Sequence, residues 1–216
     1  MKNRTLTENN LTKKQSISIV VVCLAIFFAL LVLVETNHAS LIDDPIRNAV
    51  INARNPWLTA IMKSVTFVGD WHTITAFCVI LIIIKKTRKI CGWPLGIGTL
   101  LVSLGNKGIK ALVLRPRPDI EMFLIEQDGW SFPSGHSITG MFFFGMLIWY
   151  IQRNMKNRTA ANVITVIFAF LILLIGTSRV YLGVHYPTDI LAGWSLAIVS
   201  IIIATEIIKK LEKRNK

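Results

Sequence analysis

The sequence predicts an all-α, integral-membrane bundle: six transmembrane helices, with short amphipathic helices in the first outer loop. Three observations carry this. Of 216 residues, 53% are hydrophobic and only 17% charged, against the roughly 25% charge usual in soluble domains. The apolar residues gather into charge-free runs close to the roughly 20 residues a helix needs to cross a bilayer. The basic residues between those runs fall mostly on one side. A single domain over residues 1–216 suits the length. So much apolar surface excludes disorder. The three cysteines, an odd number within or beside apolar runs, exclude a disulfide scaffold and read as small buried hydrophobes.

The first span, about 15–34, rests on a 20-residue charge-free run, Gln15 to Val34. Its run is longer than a signal-peptide core and no clear small-x-small site follows, so it reads as a retained anchor. In the outer segment, Leu41, Ile42, Ile46, Val50 and Ile51 recur near helical spacing among charges. Trp57, Leu58, Ile61, Met62 and Val65 repeat the pattern. These are amphipathic helices, lying in the outer interface or packed as a cap over the bundle. The second span, about 67–84, is the weakest: Trp71 to Ile84 gives 14 charge-free residues, with Asp70 at the outer end. The third, about 90–114, starts with 17 charge-free residues and continues past Lys107 and Lys110. Its Gly92, Gly96 and Gly98 allow close helix approach. The fourth, about 134–152, lies in a 24-residue run and opens after Pro133. Its Met141–Phe144 read as lipid contact and Trp149-Tyr150 as an inner interfacial belt. The fifth, about 159–178, is a 20-residue run, and the sixth, about 187–208, extends a 16-residue one that holds Trp194 as a packing residue.

A net charge of +12 would ordinarily raise nucleic acid as a partner. Position answers otherwise. Under six spans, 16 of the 24 Lys and Arg lie on one side: Lys2, Arg4, Lys13 and Lys14; Lys85, Lys86, Arg88 and Lys89; Arg153, Lys156 and Arg158; Lys209, Lys210, Lys213, Arg214 and Lys216. The positive-inside rule makes that side cytoplasmic, with both termini on it, and leaves no need for a nucleic-acid partner.

On the other side, three local patterns carry chemistry. Lys110 is followed after six residues by Arg117-Pro118. Pro133-Ser134-Gly135-His136 opens span four. Ser178-Arg179 is followed by His185 and then Asp189. The third span brings Lys110 to the outer edge of the hydrocarbon, and prolines at 116 and 118 bend the chain so that cations are presented there. With Arg179 this gives three cations suited to a phosphate. Ser134 is a good N-cap, and the free N–H groups after it form an anion site. Asp189 can hold one nitrogen of His185 and leave the other free to attack. The set suffices for phosphoryl transfer without a metal or cofactor: His185 as nucleophile, Asp189 orienting it, and His136 as acid and then base. Lys110, Arg117, Ser134, Gly135 and Arg179 would hold the phosphate oxygens.

As KALVLRPRP, PSGH and SRVYLGVHYPTD, these segments resemble the signature of the type 2 phosphatidic acid phosphatase family, with all eleven signature positions filled. The chain resembles that family's six-span bacterial branch. The resemblance implies a metal-independent membrane lipid phosphatase with a phosphohistidine intermediate on His185. Phosphatidylglycerol phosphate is the first substrate expectation and undecaprenyl diphosphate the alternative, with the site on the extracytoplasmic side. Vanadate-dependent haloperoxidases resemble the same motifs but are soluble and longer. A non-catalytic lipid transporter could also place cations at a membrane edge, yet has no use for paired histidines and a carboxylate. Taken singly, His136 could be a satisfied polar group, and Arg117 and Arg179 could be snorkelling anchors. Lys107 and Arg115 have no place in the motifs; they either draw in anionic substrate or simply face headgroups, and the second is the preferred reading.

Overall fold

The structure, a computed structural model, describes residues 12–214. Lys2, Arg4 and Lys216 of the basic set lie outside the described residues. The described chain is helical, with no strand. Its elements are α1 (Lys13–Glu35), α2 (Ser40–Asn52), α3 (Pro56–Val68), α4 (Trp71–Ile83), α5 (Lys85–Thr87), α6 (Trp93–Val113), α7 (Gly135–Asn154), α8 (Arg158–Tyr181) and α9 (Pro187–Arg214). A π-helical turn, Arg88–Gly92, joins α5 to α6.

Helix ends follow local chemistry. Thr12 and Gln15 form a capping box on α1, the threonine hydroxyl accepting from the Gln15 N–H at 3.2 Å. Asn55 caps α3 and Asn157 caps α8. Leu114, in the left-handed region at φ 52°, ends α6, and the two prolines that follow prevent its resumption.

α7 is the hub. It packs against α8, α9, α6 and α4, while α1 lies along α9 and α3 along α8. Phe142, Phe143, Phe144 and Met146 are buried among Ile74, Leu95 and Ile175. This corrects the sequence expectation that Met141–Phe144 face lipid. Tyr150 is buried too, so the expected inner belt is only partly exposed. In a bilayer, hydropathy cannot tell a core face from a lipid face, and α7 is walled in on several sides. The lipid-type surface lies elsewhere: Val21, Val22 and Phe28 on α1, Leu100 and Leu101 on α6, and Val166 and Phe170 on α8 are exposed. All three cysteines are buried and free.

Three described helices, α1, α8 and α9, are long and apolar enough by composition to cross a membrane. A fourth crossing is available if α3 and α4, bent by 46°, count as one broken span. The bend falls at Gly69, where an added Cβ would lie 2.5 Å from Ile175 Cγ2. Thus α3, expected as an interfacial or capping helix, continues into the short α4. The expected glycine approach is also present: a Cβ on Gly98 would lie 2.6 Å from the Phe142 ring, and one on Gly92 2.6 Å from the Leu81 carbonyl. Trp194 packs over Gly176, as the sequence suggested.

Candidate active site

α8 ends in a Schellman turn. The Val184 N–H reaches back to the Arg179 carbonyl, and the Gly183 N–H to that of Val180. Gly183 takes φ +82°, which a glycine adopts freely. The turn reverses the chain and sets His185 just before Pro187, which starts α9 with its φ already helical. Asp189, in the first turn of α9, is completely buried. Its Oδ2 lies 3.0 Å from His185 Nδ1 and also accepts the Tyr186 N–H at 3.0 Å.

On its other side, His185 Nε2 lies 3.2 Å from Arg117 Nη1. A guanidinium has no acceptor. The geometry therefore assigns the ring proton to Nδ1, facing Asp189, and a lone pair to Nε2. Burial, and after it the positive charges of Arg179, Arg117 and Lys110, hold the imidazole well below the ordinary histidine range. The ring is neutral and its lone pair points at a cluster of cations.

Arg117 is held as a fork by backbone carbonyls. Nη1 donates to Val184 O at 2.7 Å, Nε to Gly129 O at 2.8 Å and Nη2 to Asp128 O at 2.9 Å. Lys110 Nζ donates to the Trp130 and Ser131 carbonyls. The loop after α6 is thereby folded back over the site. Arg179 is 1% exposed. Its Nη1 donates to Thr66 Oγ1 at 2.7 Å and Nη2 to Gln127 Oε1, while Nε is buried without a partner among the described residues. Such a donor is available to an anion.

Ser134 caps α7, and its own N–H donates to the Asp189 carbonyl at 3.1 Å, tying the starts of α7 and α9 together. The hydroxyl and carbonyl of Ser134 serve the N–H groups of Ser137 and Ile138. The first-turn donors left over are those of Gly135 and His136. His136 Nε2 faces Asp70 Oδ2 at 3.8 Å. The structure therefore brings all the motif side chains of the three segments to one end of the bundle. Chemically the arrangement offers an imidazole with a lone pair on Nε2, a second imidazole and a rim of cations and N–H donors suited to an anion.

Residues 91–213, more than half of the chain, match the family model of the PAP2 superfamily. The chain belongs to that family. This PAP2 protein is 31% identical over 205 residues to phosphatidylglycerophosphatase B of Bacillus subtilis (strain 168), covering 89% of this chain and 96% of that one. It is 30% identical over 159 residues to undecaprenyl-diphosphatase of Sulfolobus acidocaldarius, covering 68% of this chain and 69% of the relative. The crystal structure of a transmembrane PAP2-type phosphatidylglycerolphosphate phosphatase from Bacillus subtilis shares its fold with a TM-score of 0.80 at 28% identity, over 88% of this chain and 96% of the other. The chain is thus a PAP2 lipid phosphatase integral to the membrane, and the transporter reading is set aside.

Three residues of this PAP2 phosphatase lie beside the motif set and were not picked out from the sequence. Arg115, expected to face headgroups, is largely buried: Nη1 donates to Asp189 Oδ1 at 2.6 Å and Nη2 to Asp43 Oδ2 at 2.7 Å. Pro116 follows it directly, but nothing in the linear pattern names its partners, 72 and 74 residues away. Asp43 is buried although it is charged, because α2 turns that face inward and leaves Leu41 exposed. Asp70 was seen only as an outer charge; it caps α4 and faces His136. Lys107 is exposed.

Proposed function

We propose that this PAP2 phosphatase removes a phosphate from phosphatidylglycerol phosphate through a phosphohistidine on His185, at the extracytoplasmic face of the membrane. The observation that carries the mechanism is the two-sided setting of His185. Asp189 takes Nδ1–H, and Arg117 faces the lone pair on Nε2. In the first step the Nε2 lone pair forms a bond to phosphorus while the bond from phosphorus to the lipid oxygen breaks. His136 gives its proton to that oxygen. In the second step His136 takes a proton from water, whose oxygen attacks phosphorus and returns the electron pair to Nε2. Lys110, Arg117 and Arg179, with the N–H groups of Gly135 and His136 after Ser134, neutralise the three equatorial oxygens. No step calls for a metal or cofactor.

We read the chain as one membrane-embedded domain with six crossings, counting α6 and α7 (21 and 20 residues) with α1, α8, α9 and the bent α3–α4 pair. Thr99 and Asn106 on α6, and Ser137 and Thr139 on α7, are buried within the bundle. The basic residues cluster at the end away from the site, which supports an outward-facing site and cytoplasmic termini. The 31% identity to the Bacillus phosphatidylglycerophosphatase B, over 89% of this chain, supports phosphatidylglycerol phosphate as substrate. The Sulfolobus relative supports undecaprenyl diphosphate as the second candidate.

The test is phosphate release by purified protein in mixed micelles with EDTA, offering both lipids, beside His185→Ala. Preferred release from phosphatidylglycerol phosphate, lost in the variant, is expected. A preference for undecaprenyl diphosphate moves the enzyme to recycling of that carrier. Activity surviving in His185→Ala overturns the nucleophile assignment.

A further inference from the structure

The His185–Asp189 pair does not end at Asp189. Its carboxylate is gripped from both sides: His185 and Tyr186 share Oδ2, and Arg115 Nη1 takes Oδ1 at 2.6 Å. Arg115 is in turn fixed three ways. Nη1 donates to Thr188 Oγ1 at 2.8 Å, Nη2 donates to Asp43 Oδ2 at 2.7 Å, and the guanidinium lies 3.9 Å from the Tyr186 ring centroid. Asp43 also accepts the N–H and the hydroxyl of Thr188, both at 2.9 Å. One buried network thus joins α2, the segment after α6 and the first turn of α9.

We propose that Arg115 and Asp43 are positioning residues for the nucleophile, holding Asp189 in the plane and charge state that aims His185. This rests on the phosphohistidine reading above. Two features separate the pair from the phosphate cradle. First, the hydrogen bonds of Arg115 among the described residues go to Asp189, Thr188 and Asp43, whereas Arg117 faces His185 Nε2 itself. Second, the charges sum usefully. Asp43, Arg115 and Asp189 together carry one net negative charge beside a neutral imidazole. When Nε2 bonds to phosphorus the ring becomes cationic, and the buried set becomes neutral. Removing either Arg115 or Asp43 spoils that match, and a mismatched buried charge is costly.

The pair is also reachable from behind. A cavity of about 390 Å³, lined by Glu35, Asp44, Arg47 and Tyr186 among others, includes Arg115 and Asp43 in its wall. It is large enough for a guanidinium ion.

The experiment uses the full chain in detergent micelles, with Arg115→Met, Arg115→Ala and Asp43→Asn compared for kcat, KM and inhibition. Losing a charge-assisted hydrogen bond on the nucleophile's support predicts a fall in kcat of about 10- to 100-fold for Arg115→Met. A smaller fall, about 3- to 10-fold, is expected for Asp43→Asn, which leaves Arg115 in place. Inhibition by inorganic phosphate, which needs only the cradle, stays within about twofold. Inhibition by vanadate, which must bond to His185, weakens in step with kcat. Guanidinium, but not urea, restores part of the Arg115→Ala activity. A folded Arg115→Met with kcat within twofold of wild type overturns the proposal. So does equal loss of phosphate and vanadate binding, which would make Arg115 a ligand or a merely structural residue. If neither Arg115 variant folds, Asp43→Asn decides by the same criteria. His185→Ala runs in parallel: activity retained there overturns the phosphohistidine reading itself, whereas a dead His185→Ala beside an unimpaired Arg115→Met overturns this inference alone.

Discussion

Asp189→Asn tests the His185 setting at its most buried point. The change keeps volume and shape but replaces one oxygen by an NH2 donor. Two placements are open to the amide. If its oxygen stays where it accepts from His185 Nδ1 and Tyr186, its NH2 faces Arg115 Nη1, now only 2.6 Å away and also a donor. If the amide flips, the NH2 faces His185 and forces the proton onto Nε2, so the attacking lone pair is gone. The first placement loses the anion opposite the developing imidazolium. A charge-assisted hydrogen bond contributes about 1.5–3 kcal/mol, or about 10- to 150-fold in rate. The second is the wrong-tautomer case, for which the same exchange in a Ser-His-Asp triad costs about 10⁴-fold. The expected loss in kcat therefore lies between about tenfold and about 10⁴-fold. KM should change little, because no phosphate donor is Asp189's own. Steady-state phosphate release from a micellar lipid gives both constants, and size exclusion in detergent reports folding. A folded Asp189→Asn with kcat within threefold of wild type refutes the assignment of the Nε2 lone pair.

The remaining predictions are quicker to state. Because the folded-state pKa of His185 is depressed below 6.5, the neutral nucleophile persists as pH falls through the ordinary histidine range; the acid limb of kcat/KM governed by His185 should lie below pH 6.5, and a limb above it would contradict the cation-facing geometry. Gly183→Ala should lower both stability and activity, since φ +82° costs an L-residue about 1–2 kcal/mol. Its Cβ would also meet the Met122 carbonyl at 2.2 Å; an unchanged melting temperature counts against the Schellman turn as the support of His185. Asp70→Asn keeps the cap on α4 but removes the carboxylate facing His136 at 3.8 Å. It should cut kcat by about 3- to 10-fold without loss of thermal stability; wild-type kcat would show that His136 works without it.

What the sequence disclosed and what it hid divide along a physical line. Helix ends are written in local chemistry. Ser134, Pro187 and the prolines at 116 and 118 each act within a turn of themselves, so the helices that carry the motifs start within a few residues of expectation, whereas α9 runs six residues past its expected end. The site gathers at those ends for the same reason: helix termini supply unpaired donors and a place for the chain to turn. The direction in which an apolar residue faces is not local. Phe142 and Phe143 look like lipid contacts because lipid and protein core are equally apolar, and only the neighbours of α7 decide. Ion pairs are the least local of all. Asp43 and Arg115 each resemble an ordinary outer-face charge, and a charge on an amphipathic helix is usually solvated. Burying either alone would be strongly unfavourable. Burying both is tolerable only because the fold brings them within 2.7 Å of one another and supplies Asp189 and Thr188 as further partners. The chain tolerates that buried charge beside the His185–Asp189 pair rather than filling the space with leucine. A hydrophobic replacement could hold the helices together equally well, but it would leave the buried Asp189 Oδ1 without the donor that Arg115 Nη1 supplies at 2.6 Å.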